Sequence, residues 1–203
     1  MRTLTKRLDS ESDLEGLSRS GYELVLMDSC FVIDFIEYMF ALTDYRFIKR
    51  SQTLPVICDF IKRELQRVNA VKVGFAPWRR LNKLLKNDSS LLIYLKTDFG
   101  KGEGFTHVLK MLEGDYLDVF KRIYAGNKRK SNKRDQYLYV AAAYLNQFGV
   151  NTSVATIDKA LLEVLRFSRI TAYPRPWFRK VIKAVKSKSK QPQAEVEVGG
   201  HEV

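Results

Sequence analysis

The chain has 203 residues, 45% of them apolar, a net charge of +12 and a pI of about 9.7. That length suffices for one domain with a substantial core, and the positive excess points to a polyanionic partner, nucleic acid first and an anionic membrane surface second. Two cysteines and two histidines leave too little material for a disulfide framework, a zinc site or Ser-His-Asp chemistry, and no apolar run reaches the roughly 18 residues of a membrane span, so the expectation is a cytoplasmic protein without membrane association.

Residues 1–20 are polar and read as a flexible arm with room for one short helix. Residues 23–35, ELVLMDSCFVIDF, place a buried strand over 22–27, a carboxylate at Asp28, and an apolar helix over 30–43 that Ser29 is positioned to cap. A polar turn leads to LPVICDFIKRELQRV, a short strand over 54–58 and a helix over 59–68; Pro55 argues against a central strand unless it stands at the start. Residues 69–76 suit an edge strand, 77–87 a basic amphipathic helix with Pro77 in its first turn, and 91–96 either strand or helix. Helical spacing returns over 105–124, with Gly114 splitting it. The basic loop NKRKSNKR at 127–134 then runs into Asp135 and the helix QYLYVAAAYLNQFG. VNTSVAT at 150–156 is a β-branched strand, Asp158 opens the helix KALLEVLRF, and 168–173 is the last strand. This alternation describes a parallel α/β sandwich over 21–178, with a helical insertion at about 70–130 and a basic tail of disorder-prone composition at 179–203.

Asp28 and Asp158 each follow a strand, and the carboxyl ends of parallel strands share one edge. Asp135 starts the helix that leads to the Asp158 strand, and Glu64 lies on the helix after the second strand. Carboxylates gathered at one place repel, and a divalent cation with oxygen ligands, Mg²⁺ or Mn²⁺, is the usual relief. Such ions activate water and stabilise the leaving oxygen of a phosphodiester. Each acid also has an ordinary reading: Asp135 and Asp158 as helix N-caps, Glu64 as a surface partner of Arg67.

Four segments together resemble the PIN domain family of metal-dependent nucleases. LVLMDSCFVIDF is similar to the family's opening strand, acid, small hydroxyl residue and helix, and carries Asp28 and Ser29. LPVICDFIKRELQRV resembles the segment of the helix glutamate, with Glu64 at that position. RDQYLYVAAAYL is similar to the helix that begins with an acid, here Asp135. SVATIDKAL resembles the strand ending in Thr-x-Asp, here Thr156 and Asp158. The resemblance covers about 22–68 and 132–173. It implies a three-layer α/β/α sandwich around a parallel sheet. It also implies Mg²⁺ or Mn²⁺ bound by Asp28, Glu64, Asp135 and Asp158, with Thr156 and Ser29 orienting ligands or water, and hydrolysis of RNA phosphodiesters. A homodimer and an antitoxin-type protein partner are further expectations from the same resemblance.

Two cationic stretches read as phosphate contacts: Arg79, Arg80 and Lys83 on the 77–87 helix, and Lys128, Arg129, Lys130, Lys133 and Arg134 in the loop before Asp135. Trp78 and Trp177 suit base stacking or core packing. RNA is the expected substrate ahead of DNA. The rival readings are a structure-specific DNA nuclease of the flap type and a PIN-like binding or scaffold protein without catalysis.

Overall fold

The computed structural model describes residues 7–8, 11–40, 53–72, 76–86, 93–95, 115–126 and 133–173. Among these residues six strands form one sheet: β1 (Arg7–Leu8), β2 (Glu23–Met27), β3 (Thr53–Cys58), β4 (Ile93–Leu95), β5 (Thr152–Ala155) and β6 (Ala172–Tyr173). Their order across the sheet is β1-β4-β3-β2-β5-β6, and every pairing is parallel. Parallel sheets are covered on both faces, so their strands read as continuous apolar runs. Leu24, Val25, Leu26 and Met27 accordingly are all buried.

The helices are α1 (Glu11–Ser18), α2 (Ser29–Phe40), α3 (Asp59–Val71), α4 (Ala76–Lys86), α5 (Asp115–Gly126), α6 (Lys133–Gln147) and α7 (Lys159–Phe167). They pack in two groups: α2, α3 and α4 touch one another, while α7 touches both α5 and α6. The chain moves from β2 outward through β3 to β4, then crosses back to β5 and on to β6. With right-handed crossovers, the first traverse lays its helices on one face and the return on the other. The direction reverses between β2 and β5, which are hydrogen-bonded neighbours with Met27 opposite Ala155.

The core follows from this arrangement. Phe31, Val32, Phe35 and Ile36 of α2, Ile61 and Leu65 of α3, Leu138 and Ala142 of α6, and Leu161 and Leu165 of α7 are all buried. Each of the large apolar side chains contributes about 1.5–3 kcal/mol on burial.

Several expectations are corrected. In the arm, α1 is the one short helix for which the sequence leaves room, while residues 7–8 add an unexpected strand at the sheet edge. Leu17 is buried, and the Ser18 hydroxyl donates to the Gly149 carbonyl at 3.2 Å, which fastens α1 to the turn before β5. The edge strand proposed for 69–76 is absent over 69–72, because α3 continues to Val71. Pro55 is the third residue of a central strand, not its start. It lies opposite Val25 of β2 in the parallel ladder. Cys30 is exposed although it lies in an apolar stretch of sequence, and Cys58 is buried. The segments 91–96 and 168–173 contain the strands β4 and β6. The expectations for 105–114, the loop residues Lys128, Arg129 and Lys130, Trp177 and the tail at 179–203 lie outside the described residues.

Two helix ends aim β5 and β6. After α6, the Val150 amide donates to the Leu145 carbonyl and the Gly149 amide to the Asn146 carbonyl, with Gly149 at φ 72°. This is a Schellman closure with glycine in the left-handed position. Added side-chain bulk at Gly149 would meet Ser18 Oγ at 3.1 Å. The Asn146 side chain then bonds both the amide and the carbonyl of Thr152, at 3.0 and 3.1 Å, as a neighbouring strand would. The end of α7 repeats the closure, with Arg169 at φ 57° in glycine's place.

Candidate functional site

Asp28 follows the last residue of β2. Its carboxylate, and not Ser29, caps α2. Oδ1 accepts the Cys30 amide at 2.8 Å, and the Asp28 carbonyl accepts the Val32 amide at 2.9 Å. Ser29 instead stands inside the helix, and its hydroxyl lies within hydrogen-bonding reach of both Asp28, at 3.3 Å, and Glu64. The Asp28 amide donates to the Ala155 carbonyl at 3.0 Å, extending the β2–β5 ladder to the sheet edge.

Across that ladder stands Thr156, fully buried. Its hydroxyl donates to Asp28 Oδ2 at 2.8 Å and accepts the Asp158 amide at 3.1 Å. One side chain thereby fixes the acid after β2 and the backbone leading to the acid after β5. Asp158 is the N-cap of α7, with Oδ1 accepting the Ala160 amide at 2.8 Å and the Leu161 amide at 3.1 Å. The capping role expected of Asp158 is therefore present, and it fixes the carboxylate against the first turn of α7, just beyond β5.

Asp135 is not an N-cap. The helix α6 already begins at Lys133, so Asp135 lies in its first turn, where the positive end of the helix dipole favours a carboxylate. Its Oδ2 accepts the hydroxyl of Tyr124, a buried residue of α5, at 3.0 Å. Burial pushes the Asp135 carboxyl up to about 6; the Tyr124 hydroxyl opposes this, and the charges of Asp158, Asp28 and Glu64 add to it.

Glu64 is half-buried on α3, and its Oε1 is held by the Arg134 guanidinium. Burial raises the Glu64 carboxyl above its ordinary range against the pull of Arg134, and the Asp28 charge raises it further, while Ser29 and Arg67 oppose. Arg134, rather than Arg67, is thus the ion-pair partner of Glu64.

Asp28, Glu64, Asp135 and Asp158 therefore share one electrostatic neighbourhood at the carboxyl edge of the sheet, at the point where strand order reverses. That is where open α/β sheets bind ligands. Their oxygen-only chemistry suits Mg²⁺ or Mn²⁺, and the mutual upward push on Asp135 marks negative charge that such a cation would relieve. The donor set fits a divalent cation in its chemistry. As the side chains stand, no three His, Cys, Asp or Glu residues among those described form a ready-made ligand group. Glu64 is engaged by Arg134, and Asp158 by helix amides.

The expected phosphate contacts divide. Arg79, Arg80 and Lys83 are exposed on α4 and, with Ala76, line a shallow depression of about 330 Å³. That helix packs on α2 and α3, and Leu81 anchors it in the core. Trp78 packs partly against the core, as the packing alternative anticipates. Lys133 begins α6 and does not belong to a loop; Arg134 is in the same first turn and faces Glu64.

Two participants were not anticipated: Tyr124 and, as a partner of an acid, Arg134. The signal for Tyr124 was a tyrosine on the apolar face of a helix, whose buried hydroxyl requires an acceptor. Burial and the Asp59 charge hold the Cys58 thiol far above its ordinary range, so it remains a protonated, inert thiol.

No helix among the described residues is long and apolar enough to cross a membrane. In comparison with known proteins, the chain matches no protein-family model and no curated protein sequence.

Proposed function

We propose that this chain is a PIN-like, metal-dependent nuclease that hydrolyses RNA phosphodiester bonds. The observation that carries this reading is the convergence of Asp28, Glu64, Asp135 and Asp158, from four separate segments, at the switch point of a parallel sheet. In this reading the sandwich has three layers, with the two helix groups covering the two faces of the sheet. Mg²⁺ or Mn²⁺ held by these acids supplies an activated water and positive charge at the leaving oxygen. Thr156 orients Asp28 through Oδ2, so the carboxylate presents a fixed edge. The α2 amide at Cys30 holds the other oxygen. Asp158 is oriented in the same way by the first turn of α7. Rigid backbone donors of this kind limit the reorganisation a reacting site must undergo. The exposed cations of α4 take the substrate backbone by charge, without reading sequence.

The test is cleavage of single-stranded RNA by purified protein with Mn²⁺ or Mg²⁺. Activity is expected to vanish with EDTA and in Asp28→Asn and Asp158→Asn. Cleavage that survives chelation or both substitutions overturns the reading.

The ion pair between Glu64 and Arg134 favours a second reading, in which the chain binds nucleic acid without cutting it. RNA binding by the wild type, with no cleavage under any divalent cation, selects that alternative.

A further inference from the structure

Arg134 stands where its charge is locally disfavoured. It occupies the first turn of α6, beside the positive end of the helix dipole. Its guanidinium nevertheless reaches a carboxylate 70 residues away in sequence, Glu64 on α3. Glu64 is only 20% exposed and Arg134 35%, so the contact is partly desolvated. Four acids gather here, and Arg134 brings one positive charge into their midst. A guanidinium on Glu64 Oε1 and a divalent cation at the same carboxylate repel each other and draw on the same negative charge.

We infer that Arg134 is a resident counter-cation of the acidic site that competes with a divalent cation for Glu64, so that occupancy by the ion and release of the guanidinium are coupled. The inference rests on the acidic-site reading proposed above. It makes Arg134 a positioning residue: it orients Glu64 while the site is empty of metal and sets the threshold concentration at which the fourth acid joins the ligand set. It also separates Arg134 from the other cations before Asp135, which sequence alone groups together as phosphate contacts.

The test is calorimetric titration of the full chain with Mn²⁺ alone, without substrate. Competition between two ligands for one group typically corresponds to a coupling of roughly fivefold or more. Arg134→Gln is therefore expected to bind Mn²⁺ roughly fivefold or more tightly than wild type, while Arg134→Lys, which keeps the charge, stays near wild type. The tightening must require Glu64: Glu64→Gln/Arg134→Gln is expected to bind no tighter than Glu64→Gln. If the tightening persists in the Glu64→Gln background, the effect is general electrostatics and the inference fails. It fails equally if Arg134→Gln, folded by circular dichroism, binds Mn²⁺ no better than wild type; the metal reading then stands without it. If neither wild type nor any variant binds Mn²⁺, the metal reading falls, and the inference with it. A wild-type measurement covers the case of a variant that does not fold. Titration with Mg²⁺ is expected to shift the Arg134 Nε–H resonance in step with binding, and a resonance that stays still while Mg²⁺ binds overturns the coupling.

Discussion

The Thr156 hydroxyl donates to Asp28 Oδ2 at 2.8 Å, joining residues 128 apart in sequence across the β2–β5 boundary. The Thr156 hydroxyl oxygen also accepts the Asp158 amide. Replacing Thr156 by Val keeps the shape and removes both bonds. A hydrogen bond to a charged group contributes about 1.5–3 kcal/mol, so Thr156→Val is expected to lose about 2 kcal/mol of stability in urea denaturation, and most of the cleavage activity. Thr156→Ser, which keeps the hydroxyl, should retain most of both. Unchanged stability in Thr156→Val would show that the hydroxyl does not tie the two acids together.

Asp158 has a structural role and a proposed chemical one, and two substitutions separate them. Asn is as good an N-cap as Asp, whereas Ala removes the cap at a cost of about 1 kcal/mol. Asp158→Asn should therefore unfold at nearly the wild-type urea concentration yet cleave no RNA. Asp158→Ala should lose both stability and cleavage. An active Asp158→Asn would reduce Asp158 to a helix cap.

Where the chemistry is local, sequence and structure agree. An unbroken apolar run before Asp28 reads as a strand buried on both faces, and an acid before KALLEVLRF reads as a cap. The errors arise where distant partners decide. Pro55 reads as incompatible with a central strand because the parallel pairing that seats it opposite Val25 of β2 is not written in the residues around it. The short helix over 11–18 is legible, but its docking is not, because a single buried Leu17 and one hydroxyl contact to Gly149 suffice to seat it. Ser29 was the more obvious cap, and Asp28 took the role because its backbone still belongs to the strand ladder. The pairing of Arg134 with Glu64 depends on how α3 and α6 meet, which no local pattern encodes.

The α4 cations make a separate prediction about binding. Each phosphate contact to single-stranded nucleic acid contributes about −0.7 to the slope of log K against log salt. Replacing Arg79, Arg80 and Lys83 together by Ala should weaken RNA binding and flatten that slope by up to roughly 2. Fluorescence anisotropy across a salt series reads both. Asp28→Asn, which removes a negative charge, should bind RNA at least as well as wild type. A salt slope unchanged by the triple substitution would place the nucleic acid elsewhere.

Arg169 closes α7 at φ 57°, a left-handed conformation that glycine adopts without the clash of a side chain. Arg169→Gly relieves that strain but gives the unfolded chain more freedom, and the first effect, roughly 1–2 kcal/mol, outweighs the second. The variant is expected to gain about 0.5–1 kcal/mol in denaturant titration. A loss of stability would mean that the Arg169 side chain contributes more than its backbone costs.

Asp135 should make stability depend on pH with a definite sign. Its carboxyl titrates at about 6 in the folded chain, against about 3.9 in an unfolded one. An acid raised by folding holds its proton longer in the folded state, so its stabilising contribution is complete below about pH 4 and is lost as pH rises through about 6. The displacement is worth about 3 kcal/mol unscreened, and on the order of 1–2 kcal/mol after solvent screening. Asp135→Asn removes the charge and leaves an oxygen to accept the Tyr124 hydroxyl. In metal-free buffer it should exceed wild type in stability by that amount at about pH 8, with the gap closing towards about pH 4. The same substitution should abolish cleavage, because in the proposed site Asp135 is one of the four acids that would hold the cation. Urea denaturation of both proteins at the two pH values checks the sign. A gap equal at both would assign the difference to packing and remove Asp135 from the electrostatic cluster.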